Sequence, residues 1–598
     1  MKRKSILLLV LIAIGVGGVV IPMMLKTPNS SPSNKKETAK DDFLEGPPLF
    51  EEITKQTGID FTYQNGEDNV VFAIIESLGG GIGVIDYDQD GLPDLFIPGG
   101  GYYEGKIVKG HRCKLYRNLG NFKFQDVTKE VGLDQIDWCY THGAAVADYD
   151  CDGWPDLLVT GYRRIHLFHN EKGADGNRKL VEVTKSAQLN DDMWSISAAW
   201  GDLDGDGYPE VYIGHYGDWG FDMNNPTDCV YHNPNQRDVC QPRRFKPLPH
   251  SLWKNNGGKT FTNISNSVLH PKAGGHGIGV LMVDVNNDRR PEIYVANDTD
   301  DNYLYHNTGK LGEIVLEEKG RISATATDDR GNSNGSMGVD ASSFNRSGLP
   351  SIMVTNYQDE LPCLYVNRCK GNSIIFTPSM TITGISVIGG NYVSWGTGFF
   401  DIENRGWEDL LIVNGHAIRY PQEKFGRLQY PVLMKNIHGK FRAFTPRGGS
   451  YFQERHNARG VAFVDLNNDG KLDLVVNHLN APVTILKNIS ETNHHWVGFN
   501  LIAKDHHSLV GARIIVTTKN GEQTEKQYRF AKGGGSHATT NDWRFHFGLG
   551  DNAKIESVVV EWPSGKNQEW NSIEADNYWT LTEGDAKVEK AKSGLVSN

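Results

Sequence analysis

Residues 86–97 read DYDQDGLPDLFI, and the pattern returns as DYDCDGWPDLLV at 148–159, DLDGDGYPEVYI at 202–213 and DLNNDGKLDLVV at 465–476. Each copy has oxygen-bearing side chains at positions one, three and five, a glycine at six (Gly91, Gly153, Gly207, Gly470) and a carboxylate at nine. Glycine lets the backbone curl around a point where the side chains converge. Such hard ligands suit calcium, which takes about six to eight oxygens. The pattern predicts about four Ca2+ sites. The first comprises Asp86, Asp88, Asp90 and Asp94, and the second Asp148, Asp150, Asp152 and Asp156. The third comprises Asp202, Asp204, Asp206 and Glu210, and the last Asp465, Asn467, Asp469 and Asp473. An EF-hand opens the same way but needs a bidentate Glu at position twelve and flanking helices. Position twelve here is Ile97, Val159, Ile213 or Val476, inside short apolar runs that read as buried strands, so the loop joins two strands. A metal-free Asp/Asn/Gly turn explains any single copy, but four clusters this dense favour metal.

Three weaker registers raise the count to seven: DVNNDRRPEIYV at 284–295, SFNRSGLPSIMV at 343–354 and DIENRGWEDLLI at 401–412. The fourth loop in chain order keeps Asp284, Asn286, Asp288 and Glu292 but has Arg289 for the glycine, a weaker candidate metal site. The fifth offers only Ser343, Asn345, Ser347 and Ser351, which carry no charge, and is expected to hold no calcium. The sixth sets Arg405 beside Asp401, Glu403 and Asp409, so its cation is expected to be a guanidinium. A second marker follows every loop: LYRN at Leu115, LFHN at Leu167, LWKN at Leu252, LYHN at Leu304, LYVN at Leu364, LMKN at Leu433 and ILKN at Ile485. Repeats of this length fit four strands plus insertions, and radial repetition of small sheets is the economical architecture. Gly- and Ala-rich stretches before the loops suit crowded inner strands. A third marker, FQDVT at Phe124 and its relatives, closes several units, and one copy, LFEEIT at Leu49, precedes the first loop. There it can supply the outer strand of the last blade and close the ring.

These residues resemble the FG-GAP/VCBS repeats of integrin-like seven-bladed propellers. The stretch from Leu509 to Trp570 resembles the ASPIC/UnbV domain through Gly511, Ala512 and Arg513, the Gly533–Ser536 run, HFGLG at His546 and VEWPSG at Val560. Together the two parts resemble the cartilage acidic protein type and its bacterial relatives. The resemblance implies an all-β chain, a seven-bladed β-propeller followed by a small β-sandwich-like domain. The expected boundaries are a signal peptide or signal anchor at 1–26, a flexible linker at 27–48, the propeller at 49–490, the ASPIC/UnbV-like domain at 491–586 and a disordered tail at 587–598. Independently, the alternation in ARIIVTT and SVVVEW reads as a small β domain.

The formal net charge is −12, and fifteen of the 73 acidic residues sit in the four full loops, so much of the acidity surrounds expected cations. A chain without a basic stripe is a poor nucleic-acid binder, and no nucleic-acid partner is expected. At the N-terminus three basic residues precede about twenty uncharged residues from Ser5 to Leu25, enough to cross a bilayer. No short h-region with an A-x-A site is evident. The segment predicts export with an uncleaved membrane anchor and the bulk in the periplasm or outside the cell; secretion after cleavage is the alternative. Seven cysteines fit an exported chain, and two short spans, Cys229 with Cys240 and Cys363 with Cys369, are the disulfide candidates.

The longest insertion, from Gly214, carries Tyr216, Trp219, Phe221, Asp222, Arg243 and Arg244, a candidate surface for an extracellular protein or carbohydrate ligand. The competing reading is that these side chains only pack the insertion. His142, His215, His276, His416 and His456 fall near strand ends without a ligand spacing, GGGSH at Gly533 is no nucleophile elbow, and the carboxylate pairs are absorbed by the loops. The expected function is therefore a non-catalytic, calcium-stabilised adhesion or ligand-binding module at the cell envelope. The alternative is a carbohydrate-active lyase or hydrolase on the same scaffold, which the fold permits without implying.

Overall fold

Every acidic loop lies between the first two strands of an antiparallel sheet. Loop one leaves Gly83–Ile85 and enters Asp94–Ile97, and the sheet continues through Lys114–Asn118 to Phe124–Asp126. The computed structural model describes residues 45–270 and 274–592, all within one unit that spans 43–598. Six more sheets repeat the plan, with inner strands Thr141–Ala147, Ser195–Gly201, Gly277–Val283, Val339–Ser342, Ser394–Phe400 and Ala458–Val464. The chain is thus an all-β, seven-bladed propeller. Phe50–Glu52, from the misplaced LFEEIT copy, pairs with Thr484–Asn488 and completes blade seven, so the first strand of the ring fastens the last. All seven loops share one face.

The asparagine that ends the second marker fastens neighbouring blades. Each Nδ2 donates to the position-eight carbonyl of its own loop or to the position-two carbonyl of the preceding blade's loop, and in six blades to both. Asn170 bonds Pro155 O at 3.0 Å and Tyr87 O at 2.8 Å. Asn255 reaches Tyr149 O, Asn307 reaches Leu203 O, Asn367 reaches Val285 O and Asn436 reaches Phe344 O. Asn488 reaches Ile402 O, and Asn118 reaches Leu466 O at 2.8 Å, which carries the ring across its closure. All seven are buried at 2 % exposure or less.

A second domain follows, two four-stranded sheets enclosing their own apolar core around Val497, Phe499, Ile514, Phe547 and Trp562. Arg513–Asn520 and Ile555–Glu561 pair within one sheet. The sandwich does not stop at 586: Val588–Lys590 forms an edge strand on Tyr578–Thr582, so the expectation of a disordered tail from 587 is corrected there. Backbone alternation too short to register in the sequence suffices, because the strand needs only three residues on an existing edge.

This domain sits on the loop face and touches all seven loops. Lys592 Nζ donates to Gln89 O, the His506 ring lies over Gly153, and Ser508 N donates to Gly207 O. Arg289 reaches Gly565 O, Arg513 Nη1 reaches Gly348 O, and Gly550 N reaches Asn404 O. Tyr578 Oη donates to Asp465 Oδ2 at 2.9 Å. From the domain, residues 531–542 descend through the centre of the ring. Gly533 and Gly534 pair with Met282 and Leu281, Ser536 bridges to Val339, and Thr540 accepts from Val84 N and donates to Ala144 O. The glycine run is required: a Cβ on Gly533 would stand 1.9 Å from Trp200 O, and one on Gly534, at φ +74, would stand 2.4 Å from Val280 O.

Candidate metal loops and insertion face

The loops share one backbone course. Position four has positive φ in all seven, as does position six, and six of the position-six residues are glycine. Arg289 is the exception at φ +73, a conformation that normally favours glycine; its guanidinium contacts Gly565 and Asn567 of the second domain, which accounts for an arginine at that point. Position-four side chains link successive loops through position-six carbonyls: Gln89 to Gly153, Cys151 to Gly207, Asn287 to Gly348, Arg346 to Gly406, Asn404 to Gly470 and Asn468 to Gly91.

In loop one, Asp86 Oδ1 accepts from Asp90 N at 3.1 Å and Oδ2 from Gly91 N at 3.0 Å. Position nine, Asp94, is fully buried; its oxygens accept from Tyr87 N and Asn118 N, so each carries one backbone bond and retains a lone pair. Asp156, Glu210, Asp409 and Asp473 repeat this. Ligand oxygens of Asp86, Asp88 and Asp90 lie within 4.8 Å of one another, as do those of Asp148, Asp150 and Asp156 and those of Asp202, Asp204 and Asp206. Asp88 Oδ1 is buried without a hydrogen-bond partner. An orphaned buried acceptor beside converging carboxylates fits a hard cation. Burial first, then neighbouring like charge, pushes Asp86, Asp148, Asp202 and Asp465 up to about 7.

Several blades bring a third-strand residue to the loop. Arg117 contacts Asp88 and Asp90, Lys254 contacts Asp204, and His169 Nε2 stands 3.2 Å from Asp150 Oδ2. The Asp150 carboxylate beside it, against some desolvation, pushes His169 up to about 9. In loop four, Asp284 and Asp288 keep their places, Asn286 Nδ2 bonds Asp288, and Glu292 is bonded by His306 at 2.9 Å. In loop six, Arg405 Nη2 bonds Asp409 at 2.6 Å, so a guanidinium fills the cation's role. Loop five makes the same turn with neutral groups, as Gly348 N donates to Ser343 Oγ and Asn367 N to Ser351 Oγ. Loop seven's Asn467 Nδ2 bonds Asp469.

The insertion of blade three lies on the opposite face. Tyr216 and Trp219 are buried at 1 % exposure, Tyr216 Oη bonding Asp298 and the Trp219 ring packing on Tyr162 and Trp194, so both side chains build the insertion and present no surface to a ligand. Asp222 pairs with Arg163, Arg244 pairs with Asp228, and Arg243 is exposed. Cys229 and Cys240 form a disulfide. Cys363 and Cys369 are free thiols, which corrects the second expected bridge. Cys363 begins the strand Cys363–Asn367 and Cys369 lies two residues past its end, so the four extended steps between, roughly 13 Å, keep the pair beyond disulfide reach. The histidines serve separate local bonds: His142 accepts from Trp194 Nε1, His215 meets Asp191, His276 meets Asp300, His416 meets Gln358 and His456 meets Tyr451 O.

The insertion also spans the ring. Asp238 accepts from Arg419 N and Tyr420 N of the blade-six insertion, and Arg237 lies over Phe72. Between the two insertions a cleft of about 400 Å3 is lined by Tyr231, His232, Gln236, Arg419, Tyr420 and Arg427, among others. Sequence reasoning missed the blade-six half of this cleft; its signal was the unusual length between Asn414 and Val432.

Ring closure, inter-blade asparagines and repeated acidic loops define an FG-GAP-type propeller carrying a C-terminal sandwich. Family comparisons agree: residues 86–159 and 148–213 match the FG-GAP-like repeat, and 503–588 match "ASPIC and UnbV". The chain carries FG-GAP-like repeats and an ASPIC/UnbV domain and is homologous to cartilage acidic protein 1 over most of its length. It is 24 % identical to that protein from Homo sapiens over 81 % of this chain and 69 % of the relative. It is 22 % identical to the Mus musculus protein over 72 % and 73 %. Among solved structures it is similar to an Agrocybe aegerita lectin that recognises non-reducing terminal N-acetylglucosamine, at 13 % identity and a TM-score of 0.36, over 69 % of this chain and 91 % of that one.

Proposed function

We propose that this chain is an exported, calcium-stabilised propeller that binds an extracellular protein or carbohydrate through its insertion face and carries out no catalysis. The observation that carries this reading is the unequal use of the two faces. The chain's own sandwich covers the loop face and its 531–542 segment fills the channel, leaving the Tyr231–Tyr420 cleft for a partner. Clefts of a few hundred cubic ångströms are the usual size for small-ligand recognition. Loops one, two and three supply converging carboxylates for calcium, with loop seven as the fourth expected site. The Cys229–Cys240 bridge supports export, since disulfides persist in oxidising compartments. No helix among the described residues is long and apolar enough to cross a membrane, and the anchor expected at Ser5–Leu25 lies outside them. The relatives' name carries no enzyme activity.

The test is a binding screen of the soluble part against glycans and extracellular proteins, with product analysis of every glycan. Saturable binding that is lost in the Tyr231→Ala/Tyr420→Ala double variant, without products, supports the reading. Turnover of a polysaccharide contradicts it.

A further inference from the structure

The residue before each inter-blade asparagine follows the charge of its loop. In blade one, Arg117 Nε lies 2.7 Å from Asp88 Oδ2 and Nη2 lies 3.1 Å from Asp90 Oδ2. In blade three Lys254 pairs with Asp204, whose side chain is only 1 % exposed. In blade six Lys435 pairs with Glu403 at 2.6 Å. In blade five, where the loop has no carboxylate, the position is Val366, buried in an apolar cluster. The Lys487 ammonium of blade seven lies over the Phe122 ring at 5.2 Å.

We propose that Arg117 and Lys254 are built-in counter-ions of loops one and three, which hold the loop carboxylates together without metal and thereby weaken metal binding there. The proposal rests on the calcium reading of those loops. Three or four carboxylates drawn into one turn repel one another, and a fixed cation across the sheet relieves that repulsion in the metal-free chain. The same cation opposes the approach of a divalent ion and holds oxygens that the ion would use. These loops can then adopt their turn before meeting calcium, as loop five does without a carboxylate.

Calcium titration calorimetry of the folded chain, with parallel melting in chelator, tests this in the wild type, Arg117→Gln, Lys254→Gln and Arg117→Lys. Each glutamine variant is expected to tighten one calcium site about three- to tenfold while lowering the melting temperature in chelator. Arg117→Lys, which retains the charge, should stay near wild type. Wild-type calcium binding with unchanged or weakened affinity in both glutamine variants overturns the counter-ion role and leaves the calcium reading standing. A wild type that binds no calcium takes down both. Loops one and three are independent, so Lys254→Gln carries the test if Arg117→Gln does not fold.

Discussion

Loop one and loop five make the same turn from different material. In both, the position-six N–H bonds a position-one oxygen, Asp86 Oδ2 in one and Ser343 Oγ in the other. In both, the latch asparagine's N–H bonds position nine, Asp94 or Ser351. Loop one adds four carboxylates and Arg117; loop five has no carboxylate, its Arg346 turns to Gly406 and Glu525, and Val366 stands on the third strand. The turn therefore does not depend on charge. The negative charge of loop one is surplus to shaping the backbone, which is the physical reason for assigning it to a cation.

The sharpest way to break that comparison is to remove what the two blades share. Asn118→Ala in blade one and Asn367→Ala in blade five should each cost about 3 kcal/mol, since two buried carbonyls lose their donor. Denaturant unfolding should show similar losses in both, and calcium should rescue neither. The next effect separates the loops. Saturating calcium at about a hundred times Kd should stabilise by about 2.7 kcal/mol per independent site, and Asp86→Asn/Asp90→Asn should remove one site's share. Ser343→Ala/Ser347→Ala should leave the calcium-induced rise in melting temperature unchanged. A rise that falls with the serines would reverse the assignment.

On the opposite face, Cys229→Ser/Cys240→Ser should cost about 2–3 kcal/mol, read as loss of protection around the insertion by hydrogen exchange, with the loop face unaffected. The remaining effect is on pH dependence. Asp86, Asp148, Asp202 and Asp465 are raised to about 7, so in chelator the folded chain holds protons that the unfolded chain has released. Their contribution is fully present below about pH 4 and is lost as pH rises through about 7. Melting curves in chelator should fall across that window, and calcium should flatten the fall.

Much of this was legible in the chain because the repeat advertises itself. Seven loop registers and seven asparagine markers give the blade number, since each lies within a dozen residues of the strands it marks, and the displaced LFEEIT gives the closure because it copies a marker that ends other units. What the asparagines do was not legible, because their second partner lies one blade back, 83 residues earlier for Asn170 and Tyr87 and 348 residues away for Asn118 and Leu466. The GGGSH run marks the ASPIC/UnbV resemblance and offers no nucleophile elbow, but nothing local reveals that it threads a ring. Tyr216 and Trp219 misled for a different reason: aromatic residues in a long insertion look alike in sequence whether they face a ligand or the scaffold, and burial decided for the scaffold. The third-strand Arg, His and Lys stand within the markers, but their role needs the antiparallel register that sets them opposite the loop.

Crystals grown in abundant calcium, measured for anomalous scattering at long wavelength, test the central assignment most directly. The account predicts ions in loops one, two, three and seven and none in loop five. Carboxylate loops without density for an ion under those conditions, or an ion held by Ser343 and Ser347, would contradict it.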